Sequence, residues 1–203
     1  MSLTAKDFMG GQPIHKACSG AHRELVKWLL EQAGADIQAR TKKQETALHS
    51  VSVTKHKGSE RRWSEMRKMC AEILLKARAD PDAANCDGER PLHFAAKNGH
   101  PEVAKVLLEY GAKTNLKSSK GQTPLELCEK VAVEKAQSGD SDRFQELLNI
   151  LKQAAKDRPA GSDREPAGFS IALLQKHEQS PQGAYSSMLE EVVCPKASAL
   201  VGA

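Results

Sequence analysis

The sequence predicts an all-α protein in which four helix–turn–helix units stack into a solenoid. Three observations predict it. A short anchor recurs: Pro13-Ile14-His15, Ala47-Leu48-His49, Pro91-Leu92-His93 and Pro124-Leu125-Glu126, spaced 34, 44 and 33 residues apart. A double leucine follows each anchor, at 29–30, 74–75, 107–108 and 147–148. Aromatic residues are only 4% of a chain that is 39% hydrophobic, so the core must be built from Ala and Leu, which favours closely packed helices.

Each unit reads as two short helices and a turn. Proline suits the first helical position, where its missing N–H would be unpaired in any case. Thr46 and Thr123 fit the N-cap role. Ala17, Val51, Ala95 and Cys128 place small or compact side chains on the first helix, which lets neighbours approach. The second helix is amphipathic, as in Val103, Val106 and Leu107. Gly34 and Gly111 suit a left-handed stop after it. Gly10, Gly88 and Gly121 precede three of the anchors by three residues; Gln44 occupies that place in the second unit. A lone unit cannot bury its apolar face, so the units must stack.

The stretches GERPLHFAAKNGHPEVAKVLLEYGAKTN, GGQPIHKACSGAHRELVKWLLEQAGAD and GQTPLELCEK carry a pattern that resembles the ankyrin repeat over roughly 7–156. The resemblance implies a domain at 7–156 (repeats about 7–39, 40–84, 85–117 and 118–156), preceded by an extension at 1–6. It implies inner helices and β-turn fingers forming a concave face that grips another protein. By alignment with the family, the partner-binding positions are Arg40, Lys42 and Lys43 in one finger, Cys86 and Asp87 in the next, then Lys117 and Lys120. Lys16, Ser52, Phe94 and Lys97 would face the groove from the inner helices. The surplus of lysine and arginine points to a protein partner with an acidic surface.

Two departures stand out. The second unit is eleven residues longer than 33, with the surplus between its helices at Val53–Trp63. Lys55, Lys57, Arg61, Arg62 and Trp63 make a possible basic patch there, although without interleaved aromatics a nucleic-acid partner is not expected. The last unit has Glu126 in place of histidine and a delayed outer helix, Arg143–Lys156, which suits a C-terminal cap. At the other end Leu25, Trp28 and Leu29 are expected to be partly exposed. Residues 157–203 open on the linker-like DRPAGSDREPAG and read as a disordered tail with two apolar motifs, Phe169–His177 and Tyr185–Val193.

No catalytic kit is legible. Nucleophile elbow, phosphate loop and zinc spacing are all missing. His15, His49 and His93 are expected to bind loop backbone between repeats rather than a metal or substrate. Five scattered cysteines suit a reducing compartment. No apolar run is long enough to span a membrane. The expected protein is a monomeric, non-enzymatic, cofactor-free adaptor, scaffold or inhibitor of cytoplasm or nucleus. A targeting or regulatory subunit of an enzyme complex is the alternative; a nucleic-acid-associated protein using the basic insert is a weaker one.

Overall fold

The computed structural model describes residues 5–53, 60–135 and 141–157, the side chains at 60, 61 and 141 excepted. Lys55, Lys57, the side chain of Arg61 and both apolar motifs of the tail therefore lie outside the described residues. Among those described, all regular structure is helical: α1 (Pro13–Ser19), α2 (Arg23–Glu31), α3 (Ala47–Val51), α4 (Glu60–Lys76), α5 (Pro91–Asn98), α6 (Pro101–Glu109), α7 (Pro124–Lys135) and α8 (Ser141–Asp157).

Odd-numbered helices form an inner layer and even-numbered helices an outer one. α1 packs on α3, α3 on α5 and α5 on α7; α2 packs on α4, α4 on α6 and α6 on α8. Each helix also contacts the other member of its own hairpin. The core is the seam between the layers. Ile14, Leu48, Leu74, Leu92, Leu107, Leu147 and Leu151 are its largest aliphatic members and are essentially inaccessible. Burying one such side chain contributes about 1.5–3 kcal/mol. Ala17, Val51, Ala95 and Cys128 sit in this seam as expected. Cys18 and Cys70 join them, and burial pushes the Cys70 and Cys128 thiols up to about 11 and about 12, so neither ionises near neutrality. Lys105 ties the last two outer helices together, with Nζ 3.0 Å from Glu102 and 2.8 Å from Glu146.

The insert differs from expectation. Instead of ending at Trp63, the inter-helix segment gives way to α4 at Glu60, so Arg61, Arg62 and Trp63 belong to that helix. The physical reason is periodic: Trp63, Met66 and Cys70 continue one apolar stripe upstream of Leu74, and the intervening residues are good helix formers. α4 thus reaches 17 residues against 9 in α2. Leu29 also departs from expectation. It is 3% exposed, whereas Leu25 and Trp28 are 45% and 51% exposed on the open amino-terminal edge.

The fingers impose a left-handed residue at one fixed place. Gly10, Gly88 and Gly121 adopt φ of +76°, +66° and +75°, and Gln44 is held at +60° in the same position. A non-glycine residue there costs about 1–2 kcal/mol, against about 0.5–1 kcal/mol of extra chain entropy lost by glycine. Gln44→Gly is therefore expected to raise stability by about 0.5–1 kcal/mol, read as a higher urea midpoint with unchanged slope. A lowered midpoint would show that the glutamine side chain contributes more than its backbone costs.

Candidate protein-binding face

Each finger is a five-residue hairpin that opens on a polar residue, and in the first three the side chain of that residue helps to close it. The four fingers are 7–11, 41–45, 85–89 and 118–122. In the first, the Asp7 and Gly11 backbones bond at 2.9 Å and Gly10 N–H donates to Asp7 O at 2.8 Å. The same two bonds recur from Thr41, Asn85 and Ser118. The opening side chain accepts further amides. Asp7 Oδ1 takes Met9 and Gly11 N–H at 2.9 and 2.7 Å. Thr41 Oγ1 takes Lys43 and Glu45 N–H at 3.3 and 3.1 Å, and Asn85 Oδ1 takes Asp87 and Glu89 N–H at 2.9 Å each. These openers were not singled out in the sequence, yet Asp7, Thr41, Asn85 and Ser118 each stand six residues before an anchor. Residues of that kind, which close Asx and Ser/Thr turns, carry the signal.

Successive fingers are joined edge to edge. Lys42 N–H donates to Met9 O, Cys86 N–H to Lys43 O and Ser119 N–H to Asp87 O, each at 2.9 Å. The finger row is consequently a continuous backbone ladder rather than a set of independent loops.

The anchor histidines lock this ladder to the inner helices. His15 Nδ1 accepts Gln12 N–H at 3.2 Å while its Nε2 meets Glu45 O of the next finger at 3.2 Å. His49 repeats this with Thr46 N–H at 3.1 Å and Glu89 O at 3.1 Å. His93 does so with Arg90 N–H at 3.3 Å and Gln122 O at 3.1 Å. An Nδ1 that accepts a backbone amide must be unprotonated, so Nε2 carries the hydrogen and donates. The three imidazoles lie in successive repeats, each with its own carbonyl, as expected of backbone-binding histidines. Desolvation holds all three below the ordinary histidine value, His49 at about 4.

Glu126 now has a reason. Its Oε2 accepts Thr123 N–H at 2.8 Å, and its own N–H donates to Thr123 Oγ1 at 3.3 Å, a reciprocal capping box. Those bonds hold its carboxyl below the usual range. A histidine would add only a donor to a following finger, and none follows among the described residues.

The predicted contact residues fall into four groups. Lys16, Lys42, Lys43, Lys97, Lys117 and Lys120 are exposed. Of these, Lys16 pairs with Asp7 at 2.9 Å, and the other five have no carboxylate partner among the described residues. Cys86 and Asp87 are half-buried at the third finger tip, and Phe94 is half-buried with its ring edge-on to His49 at 5.1 Å. Arg40 is a staple: its Nη1 donates to Ala84 O at 2.9 Å and Gln44 O at 3.4 Å, bridging two repeats. Ser52 is a correction. α3 stops at Val51, so Ser52 is its C-cap and is 0% exposed instead of facing the groove. Of the basic patch, Arg62 is exposed and Trp63 half-buried on α4. Two exposed residues were missed. Phe8 and Met9, at the tip of the first finger, are 81% and 39% exposed.

Among the described residues no helix is long and apolar enough to cross a membrane.

Two family models, each described as ankyrin repeats in many copies, match residues 12–59 and 71–128. The mouse ankyrin repeat and SOCS box protein 16 is 34% identical over 143 residues, covering 70% of this chain and 30% of that protein. The Drosophila melanogaster NF-kappa-B inhibitor cactus is 29% identical over 126 residues, 61% of this chain and 22% of its own length. The human SMC5-SMC6 complex localization factor protein 1 is 30% identical over 128 residues, 62% of this chain and 11% of its own. The chain spans less than a third of each of these relatives. Paired helices, histidine-locked fingers and both family models converge: this chain belongs to the ankyrin repeat family, a family of protein-interaction modules.

Proposed function

We propose that the protein is a non-enzymatic binding module, an adaptor, scaffold or inhibitor, that holds a protein partner with an acidic surface against its fingers and inner helices. The observation that carries this reading is a set of exposed lysines that make no ion pair among the described residues, Lys42, Lys43, Lys97, Lys117 and Lys120, on a face whose backbone is fixed by the ladder and the histidines. Positive charge on a rigid surface steers an acidic partner and sets orientation. Phe8 and Met9 add exposed apolar area at one end of the row, suited to an anchor contact. Ser52 and Arg40 have no part in it, being interior and bridging residues respectively. Two relatives carry names of an inhibitor and of a localization factor, which fits capture without chemistry. Cytoplasm or nucleus is the proposed compartment.

Reversing charge at Lys42, Lys43, Lys97 and Lys120 together is expected to abolish capture of the partner from native lysate while leaving the melting temperature within a few degrees of wild type. These side chains are exposed, and such substitutions ordinarily change stability little. Capture unchanged by the quadruple variant would show that binding uses a different face.

A further inference from the structure

The third finger carries a covalent bond whose other end lies outside the described residues. Cys86 is disulfide-bonded, whereas Cys18, Cys70 and Cys128 are free thiols. Those three are 0% exposed in the seam between the layers. Cys86, by contrast, is half-buried at a finger tip. Its N–H donates to Lys43 O at 2.9 Å and its Sγ rests 4.0 Å from Lys42 O, while the neighbouring Asp87 O accepts Ser119 N–H at 2.9 Å. The disulfide therefore leaves the array in the middle of the finger row, between the second and fourth fingers. Charge along this part of the row is uneven. Its acids, Glu45, Asp87 and Glu89, are half-buried, while its exposed charges, Lys42, Lys43, Lys117 and Lys120, are all basic.

We infer that the partner of Cys86 is Cys194 of the same chain, and that this bond holds the segment Tyr185–Cys194 along the fingers with Glu190 and Glu191 against the exposed lysines. Elimination selects the cysteine: the chain has five, three are free, and Cys194 is the one left for Cys86. Charge selects the seating. The segment carries two glutamates and no basic residue. They stand four and three residues before the cysteine, about 10–13 Å along an extended chain, which brings them over the flanking fingers. Reach is no obstacle. α8 belongs to the repeat beside the third finger, and the 36 residues 158–193 extend to about 120 Å at most. Thiol–disulfide exchange with a small disulfide such as oxidised glutathione makes the bond. The Cys86 thiolate attacks one sulfur of that disulfide and expels the other as a thiolate. The Cys194 thiolate then attacks Cys86 Sγ, forming the protein disulfide and expelling the second small thiolate. The two protons given up by the cysteines end on the two released thiols. Burial keeps Cys18, Cys70 and Cys128 out of the exchange. In a reducing compartment the bond forms only as the pool of small disulfides rises, so the seating of the tail follows redox state. The oxidised tail occupies the lysines that would hold an acidic partner and lowers its capture. That consequence rests on the reading of this face as the binding face; the Cys86–Cys194 bond does not.

The test uses the full 203-residue chain, equilibrated with oxidised or with reduced glutathione. Tryptic mapping of the oxidised monomer without reductant is expected to yield residues 79–97 joined to residues 177–196, a pair that reduction separates. Acetylation of lysines by a water-soluble active ester reads the seating. In the oxidised chain the rates at Lys42, Lys43, Lys117 and Lys120 are expected to fall severalfold, while Lys27, exposed on α2, stays unchanged. Cys194→Ser is expected to lose the joined pair and to show the reduced-state rates under both conditions. Glu190→Lys/Glu191→Lys is expected to keep the joined pair and lose the protection. Absence of the pair overturns the inference. So does a pair found only in a covalent dimer, which would place Cys194 in a second copy. Lysine rates that ignore oxidation, or protection that survives the glutamate reversal, overturn the seating. None of these readouts uses a partner, so they stand apart from the capture experiment on the quadruple lysine variant: either can fail while the other holds.

Discussion

Leu107→Ala is expected to lower stability by about 2–5 kcal/mol, the range for removing a fully buried leucine and leaving a cavity. Leu107 is 0% exposed, in the middle of α6, which is packed against α4, α5 and α8. Whole domains are stable by only about 5–15 kcal/mol, so the change consumes a large part of the total. Its position makes it worse. In a linear array each repeat is held only by its neighbours, and failure of the third disconnects α7 and α8 from the first two repeats. A fall in melting temperature of about 5–15 °C follows from about 2–4 °C per kcal/mol for a chain of this size. Leu25→Ala is the control: on the same type of outer helix but 45% exposed, it should shift the melt little. A Leu107→Ala melt within a degree of wild type would mean that α6 does not pack through this residue.

The sequence showed the repeat clearly because the constraints that produce it are local and recur. Proline at a helix start and histidine two residues later, each in three of the four units, and a leucine pair in all four answer physical demands that recur along the array. Where a demand could be met by more than one residue type, the pattern was hidden. The finger openers are Asp, Thr, Asn and Ser, and the first three perform one hydrogen-bonding task with three chemistries, so no repeated letter betrays them. Gln44 takes a glycine conformation without being glycine. The start of α4 was obscured because Gly58 and Ser59 immediately precede it and its first turn is highly charged, which reads as loop. Ser52 was misplaced for a different reason. Its family position assumes an inner helix of ordinary length, whereas α3 spans five residues against eight in α5 and turns inward where the pattern expects a second exposed turn. The exposed lysines were legible because a finger position fixes exposure. Arg40 was not, since whether a guanidinium turns to solvent or to a neighbouring carbonyl depends on a repeat 44 residues away.

Acidification is expected to destabilise the array between about pH 6.5 and pH 4, and the anchor histidines are the cause. His49 Nε2–H donates to Glu89 O while Nδ1 accepts Thr46 N–H, so the bound form is neutral. Protonating Nδ1 would set two hydrogens against each other in a site that excludes water. The folded value of about 4 lies below an unfolded value of 6.5. In the window between them the unfolded chain binds more protons, and stability falls as pH falls. At about 1.4 kcal/mol per unit, His49 alone accounts for a loss of about 3 kcal/mol, complete near pH 4. His15 and His93 are lowered by the same desolvation, and His100, lowered to about 3 by burial first and by the Arg67 charge second, adds to it. Glu45 and Asp82 act in the opposite sense: burial raises both carboxyls, so the folded state holds their protons more tightly near the foot of the window. The steepest loss should therefore fall in the upper half, where the carboxylates are silent. His49→Gln separates the histidine term from the rest. Glutamine can cap Thr46 N–H but cannot also reach Glu89 O, and a buried carbonyl left without its donor costs about 1–3 kcal/mol. The variant is expected to be less stable at pH 7.5 and to lose much less between pH 6.5 and 5, so that the two stability curves converge on acidification. Parallel curves would show that His49 does not carry the pH dependence, and that the ladder of fingers is held by something other than the row of imidazoles.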